Sequence, residues 1–168
     1  MKKYTCLFFS FLFLNLFIAQ SKTDDFILSD FTQGSTVIKR KGYEVSYDTS
    51  RLVTNWVMYL HTKSKRIKIV NRKNKFYNDT LVPNINFNDN YIYSVFDRGH
   101  LAPAGDMTYN DTAMLTSFIY SNIAPQVPSF NRGVWSRLEE KVRGWVDDYD
   151  SLIIITGPIM KESDTLFK

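Results

Sequence analysis

The sequence predicts one α/β (α+β) domain on a mixed, mainly antiparallel sheet, and three observations carry that prediction. Two runs rich in aromatic and β-branched residues, "YEVSYD" (Tyr43–Asp48) and "NWVMYLH" (Asn55–His61), lie one short link apart, as half-buried strands do. From Asn131 to Tyr149 the residues Val134, Trp135, Leu138, Val142, Trp145, Val146 and Tyr149 recur every three or four positions, which marks a helix with one buried stripe. "SLIIITG" (Ser151–Gly157) is a continuous apolar run ending in Gly-Pro, the pattern of a buried central strand.

The remaining elements follow in chain order. "MKKYTCLFFSFLFLNLFIAQSK" has a positive start at Lys2 and Lys3, an apolar run of 14 residues from Cys6 to Ala19, and small or polar residues after it. That order reads as a secretory signal peptide over residues 1–21, with a single domain over 22–168. A spanning helix needs about 20 apolar residues, so a membrane anchor fits less well. A polar lead-in runs to about Gly34, and "TSRLVT" between the first two strands reads as a hairpin or broad turn. Residues 62–90 are basic, then rich in Asn and Pro, and predict a long surface loop. "YIYSVF" (Tyr91–Phe96) predicts a strand that ends on Asp97, and Met114, Phe118 and Ile119 predict a short helix leading to Ser121.

Removing the leader leaves 147 residues, enough for one domain with a substantial core. It also removes Cys6, the only cysteine, so packing and not disulfides must hold the fold. Lys2 and Lys3 leave too, and the net charge falls from +4 to +2, which says little about partners. Distribution says more: Thr49 to Asn78 contains no acidic residue, yet holds Arg51, Lys63, Lys65, Arg66, Lys68, Arg72, Lys73 and Lys75. Such a stretch attracts phosphate backbone, although a solvated basic loop has the same composition.

The chemistry concentrates in "FDRGHLAPAGDM" (Phe96–Met107), where Asp97, Arg98 and His100 fall within four positions of a chain with two histidines. A neutral imidazole accepts a proton near physiological pH, which makes His100 a candidate general base; a structural histidine in an ordinary turn is the alternative. Arg98 offers a planar fork for phosphate oxygens, and Gly99 permits tight backbone geometry beside it. Downstream, "SNIAPQVPSFNRGVWSRLEEKVRGW" supplies Asn122, Gln126, Asn131, Glu139 and Arg143. Asn131 has two readings that the sequence leaves open, a helix N-cap and an oxygen ligand for a hard cation.

"DRGHLAPAGDM" followed by "SNIAPQ", "FNRGVW" and "RLEEKVR" closely resembles the DNA/RNA non-specific endonuclease family of the ββα-metal superfamily, densely from about Phe96 to Arg143. The resemblance implies a ββα-metal site on the sheet, with DNA and RNA as substrates, 5′-phosphate ends, and Mg²⁺, or Mn²⁺ in its place, as cofactor. It implies that His100 is the general base, that Asn131 is the single direct protein ligand of the cation, and that Glu139 acts through a water. Arg98, Asn122 and Arg143 then position the site or stabilise phosphate charge, and Gln126 supports them. If Asn131 and Glu139 both lay on regular helix, they would be roughly 12 Å apart along the axis.

Lys65, Arg66, Arg72 and Lys73 of the basic stretch are further candidates for substrate binding. Leu60 and His61 stand where secreted bacterial relatives often carry an arginine, with Arg51 or the basic loop as the substitute charge; His61 reads as a strand-end surface residue and not as a second base. The sequence ends where family members normally continue, so the domain is expected to be short at its C-terminus, with Leu152–Thr156 left as an unpaired edge. The expected setting is secreted or periplasmic, free of membrane after cleavage, with a homodimer and an inhibitor protein among partners to consider. A catalytically silent nuclease-like domain that binds polyanions is the alternative function.

Overall fold

The computed structural model describes residues 35–82 and 95–159. The expected signal peptide, most of the strand expected at Tyr91–Phe96 and the last nine residues lie outside the described residues. Four strands form one antiparallel sheet in the order β1, β2, β3, β6, and β4 pairs with β5 in a separate antiparallel ribbon. The strands are β1 (Thr36–Lys39), β2 (Glu44–Asp48), β3 (Val53–Thr62), β4 (Asp97–His100), β5 (Ile123–Gln126) and β6 (Ser151–Thr156). Among the described residues two α-helices, α1 (Asp111–Ser117) and α2 (Ser136–Tyr149), join them.

The β2–β3 turn is closed by Asp48, whose carboxylate accepts from the Ser50 and Arg51 backbone N–H groups at 2.8 and 2.9 Å. Leu52 adopts φ 56°, the left-handed conformation that lets so short a link reverse the chain. Across the pair, Val45 faces Val57 and Ser46 faces Trp56. Val45, Tyr47, Val57 and Tyr59 enter one core with Leu101, Met107, Ala113, Tyr120 and Ile123. Each large apolar side chain buried there contributes about 1.5–3 kcal/mol. Helix α1 starts where the Asn110 side chain accepts from the Ala113 N–H, and it buries Ala113 and Met114.

Several expectations need correction. The run Ser151–Thr156 is a strand, but it is an outer strand among the described residues, paired only with β3. Its outward Ile153 is 62% exposed, so a one-sided strand whose solvent face is also isoleucine had read as buried on both sides. Helix α2 has the predicted period, yet only its Val146 is buried; Leu138, Trp145 and Tyr149 remain exposed, as does Val134 in the turn before it, while α2 packs on β6 and the turn at Lys63–Arg66.

The basic stretch is not simply a surface loop. Backbone N–H groups of Ile69 and Val70 donate to the Thr108 carbonyl, Tyr77 forms a bridge with Ile119, and Val82 enters the core. Asp79 is buried and paired with Arg40, and it also accepts from the Ser121 hydroxyl. His61, expected at the surface, is 1% exposed because β3 alternation sends it inward with Tyr59. Finally, β1 and β5 were not expected as strands, although Thr36, Val37 and Ile38 are β-branched, and the Asp97–His100 motif itself forms β4.

Candidate active site

The site begins with the β4–β5 ribbon, in which Asp97 faces Gln126, Gly99 faces Ala124 and His100 faces Ile123. The close approach requires glycine at position 99, since a Cβ there would lie 2.1 Å from the Gln126 side chain. His100 is thereby fixed as the last residue of β4. The chain beyond it is clamped by buried Asn122, whose Oδ1 accepts from the Ala102 N–H at 2.8 Å. The Asn122 Nδ2 donates to the carbonyls of Ala102 and Ser117 at 2.9 and 2.8 Å. With these three bonds Asn122 positions the histidine loop.

The His100 ring lies edge-on to Phe118 at 4.8 Å and tilted against Phe76 at 5.7 Å. Its Nε2 is buried without a hydrogen-bond partner among the described residues. Burial, and then the charge of Arg72, push its pKa down to about 3, so the imidazole is neutral at physiological pH. A buried nitrogen left unpaired is destabilising in the folded protein, and a functional role is one physical reason to retain it.

Asn131 lies in a wide helical turn, Phe130–Trp135, interrupted by Gly133, and is not the cap of α2. Its Nδ2 donates to Asp97 Oδ2 at 2.9 Å, while Oδ1 accepts no bond among the described residues. Arg132 grips the same carboxylate, Nε to Oδ2 at 2.8 Å and Nη2 to Oδ1 at 2.5 Å. These bonds, Arg132's first, hold Asp97 below the usual carboxylate range. Because the turn is not regular α-helix, the straight-helix spacing expected between Asn131 and Glu139 does not apply.

Glu139 lies in the first turn of α2. Burial raises its pKa to about 7, with Arg143 and Arg72 opposing the rise and Asp106 adding to it. Arg143 donates to buried Asp106 at 2.9 Å and to Glu140 at 3.0 Å, and Tyr59 donates to the other Asp106 oxygen at 2.8 Å. Arg72 stands 5.3 Å over the Phe118 ring, and its charge acts on both His100 and Glu139. Arg98 lies 5.1 Å over the Phe76 ring. The side-chain oxygen of Gln126 is buried and unpaired among the described residues.

Other candidates are drawn away. Lys65 donates to the Leu60 carbonyl at 2.7 Å and covers the Tyr109 ring. Arg66 binds Asp147 at 2.6 Å and the Arg143 carbonyl. Lys73 pairs with Asp111 at 3.8 Å on the surface. Sequence reasoning gave no role to Asp97 toward Asn131, to Asp106 or to Phe76. The carboxylates were visible inside the motif, but their partners lie 34 and 37 positions away.

No cluster of three or more His, Cys, Asp or Glu side chains occurs among the described residues, so an all-protein cage is not what this site offers. A lone amide oxygen with its nitrogen already committed does fit a cation that keeps most of its waters, as Mg²⁺ does.

Residues 23–166 match the family described as DNA/RNA non-specific endonuclease. The chain is 35% identical over 129 residues to the mitochondrial nuclease EXOG of Mus musculus, covering 75% of this chain and 35% of that protein. It is 33% identical over 157 residues to a nuclease of Syncephalastrum racemosum, covering 89% of this chain and 48% of the relative. In the crystal structure of the EndoG/EndoGI complex, a chain 31% identical superposes with TM-score 0.68 over 81% of this chain and 61% of its own. The chain thus spans about a third to a half of the curated relatives it matches. With the β4–β5 ribbon leading into α2 and the four motif blocks on that frame, the chain belongs to the DNA/RNA non-specific endonuclease family.

Proposed function

We propose that this protein is a metal-dependent endonuclease that hydrolyses phosphodiester bonds in DNA and RNA with little sequence preference. The observation that carries the reading is His100 at the end of β4, a neutral imidazole whose buried Nε2 has no hydrogen-bond partner among the described residues.

In this reading Asn131 would hold Mg²⁺ or Mn²⁺ directly, with Glu139 acting through a water. The bound ion supplies positive charge for the oxygen that leaves. His100 takes a proton from the attacking water as its oxygen bonds to phosphorus. The P–O3′ bond breaks, O3′ takes a proton from solvent water, and the phosphate stays on the 5′ end. Arg72, adjacent to both His100 and Glu139 in its charge effects, supplies a cation for the phosphate oxygens, with Arg98 beside it. Contacts of this kind grip the backbone and read no base edge, which accounts for action on both nucleic acids.

Export belongs to the same proposal, resting on Lys2, Lys3 and the apolar run Cys6–Ala19. The neighbour EndoG was solved with EndoGI, and an inhibitor protein is the partner class we add by that analogy.

The test is degradation of supercoiled plasmid and of total RNA with Mg²⁺ or with EDTA, beside His100→Ala. Both substrates are expected to be cut at many positions only with the cation, and the variant to lose about 10²–10⁴-fold in rate while still binding nucleic acid. A folded protein that retards nucleic acid on a gel without cutting it would establish the silent binding domain instead.

A further inference from the structure

The geometry points to Asp97 as the positioning residue for the metal ligand, with Arg132 as its brace; this rests on the nuclease reading above. An asparagine amide can present either end to a cation, and only its oxygen is a useful ligand. Here the choice is made by a neighbour. Nδ2 of Asn131 donates to Asp97 Oδ2 at 2.9 Å, so Oδ1 is the end left open. An ionised carboxylate is acceptor-only, and a flipped amide would set oxygen against oxygen.

The Asp97 carboxylate is itself fixed. Arg132 occupies both of its oxygens from Nε and Nη2, the two-pronged geometry that Arg favours. With Oδ1 and Oδ2 both engaged, Asp97 orients the ligand and is not placed to replace it. Its charge is neutralised by Arg132, so it adds little long-range attraction for a cation. The backbone supports the same arrangement from both sides. Asp97 is held opposite Gln126 in the ribbon, and the Asn131 N–H donates to the Val127 carbonyl at 2.9 Å. Asp97 and Asn131 are therefore anchored at adjacent points of one ribbon and the turn that follows it.

Outer partners of this kind commonly govern metal affinity by about 10–100-fold. The test is direct Mn²⁺ binding to the metal-free purified protein, by electron paramagnetic resonance of free Mn²⁺, with folding followed by circular dichroism. Asp97→Ala is expected to raise the Kd for Mn²⁺ about tenfold or more, with kcat at saturating metal much less affected. Asp97→Asn keeps one acceptor oxygen for Asn131 and is expected to recover part of the affinity. In the Asp97→Ala background, Arg132→Ala is expected to cause no further change.

Asn131→Ala is the control and is expected to abolish specific Mn²⁺ binding. If it does, and a folded Asp97→Ala binds Mn²⁺ as the parent does, the positioning role is overturned while the metal site stands. Should Asp97→Ala fail to fold, an unchanged Kd in Asp97→Asn overturns it equally. If the parent binds no Mn²⁺, or Asn131→Ala binds it normally, the metal-ligand reading falls and takes this inference with it.

Discussion

At the scale of single residues, Glu139 sets folding against use. Its pKa is raised from an ordinary 4.5 to about 7, chiefly because burial disfavours the charged form. The folded chain therefore holds this proton more tightly than the unfolded one. The contribution to stability is fully present below about pH 4.5 and is lost as pH rises through 7. Glu139→Gln keeps the shape and removes the titration. Without divalent cation, the variant is expected to melt a few degrees above the parent at pH 8, with the gain shrinking toward pH 4.5. Thermal unfolding at the two pH values checks this; equal differences at both would show that Glu139 carries no such strain. The resemblance carried by "RLEEKVR" singled out Glu139 as a candidate, but its burial was not readable there, because burial depends on what α2 packs against.

At the scale of elements, the ribbon and its clamp make the site rigid. Asn122 joins the segment after β4 to the end of α1 and the start of β5, with Ala102 and Ser117 both bonded to its amide. Asn122→Ala leaves a buried N–H and two carbonyls without that partner. The expected loss is about 2–3 kcal/mol, with reduced cleavage because the His100 loop loosens. Denaturant unfolding and plasmid nicking measure the two effects; a stable but inactive variant would place Asn122 at the substrate instead. Strands with alternating aromatic and β-branched residues, β2 and β3, were readable from sequence, and so was a short helix around Met114, though not its Asn110 cap. What escaped were short pieces held by context. "TVIK" has β-branched residues but is only four long, and "IAPQ" contains a proline; they form β1 and β5 paired with β2 and β4. The apolar period of α2 was also plain, but period alone does not tell which side of a helix gets covered.

For the whole molecule, the functional question is which of many cations meet the substrate. The sequence shows an unbroken basic stretch from Arg51 to Lys75, and composition treats its members alike. The fold separates them. Lys65 and Arg66 are spent on the Leu60 and Arg143 carbonyls and on Asp147, tying the Lys63–Arg66 turn to β3 and α2. Arg72 is instead directed to the neighbourhood of His100 and Glu139. Each phosphate contact contributes about 0.9 to the slope of log affinity against log salt on duplex DNA. In a His100→Ala background that does not cut, Arg72→Ala is therefore expected to flatten that slope by about one, equally for unrelated DNA sequences. Arg66→Ala is expected to leave the slope unchanged and to lower the melting temperature, since it breaks a tie within the fold. Fluorescence anisotropy over a salt series measures the slopes. If Arg66→Ala flattens the slope and Arg72→Ala does not, the nucleic acid crosses the face of the Lys63–Arg66 turn instead, and phosphate stabilisation near His100 must come from Arg98 and Arg143.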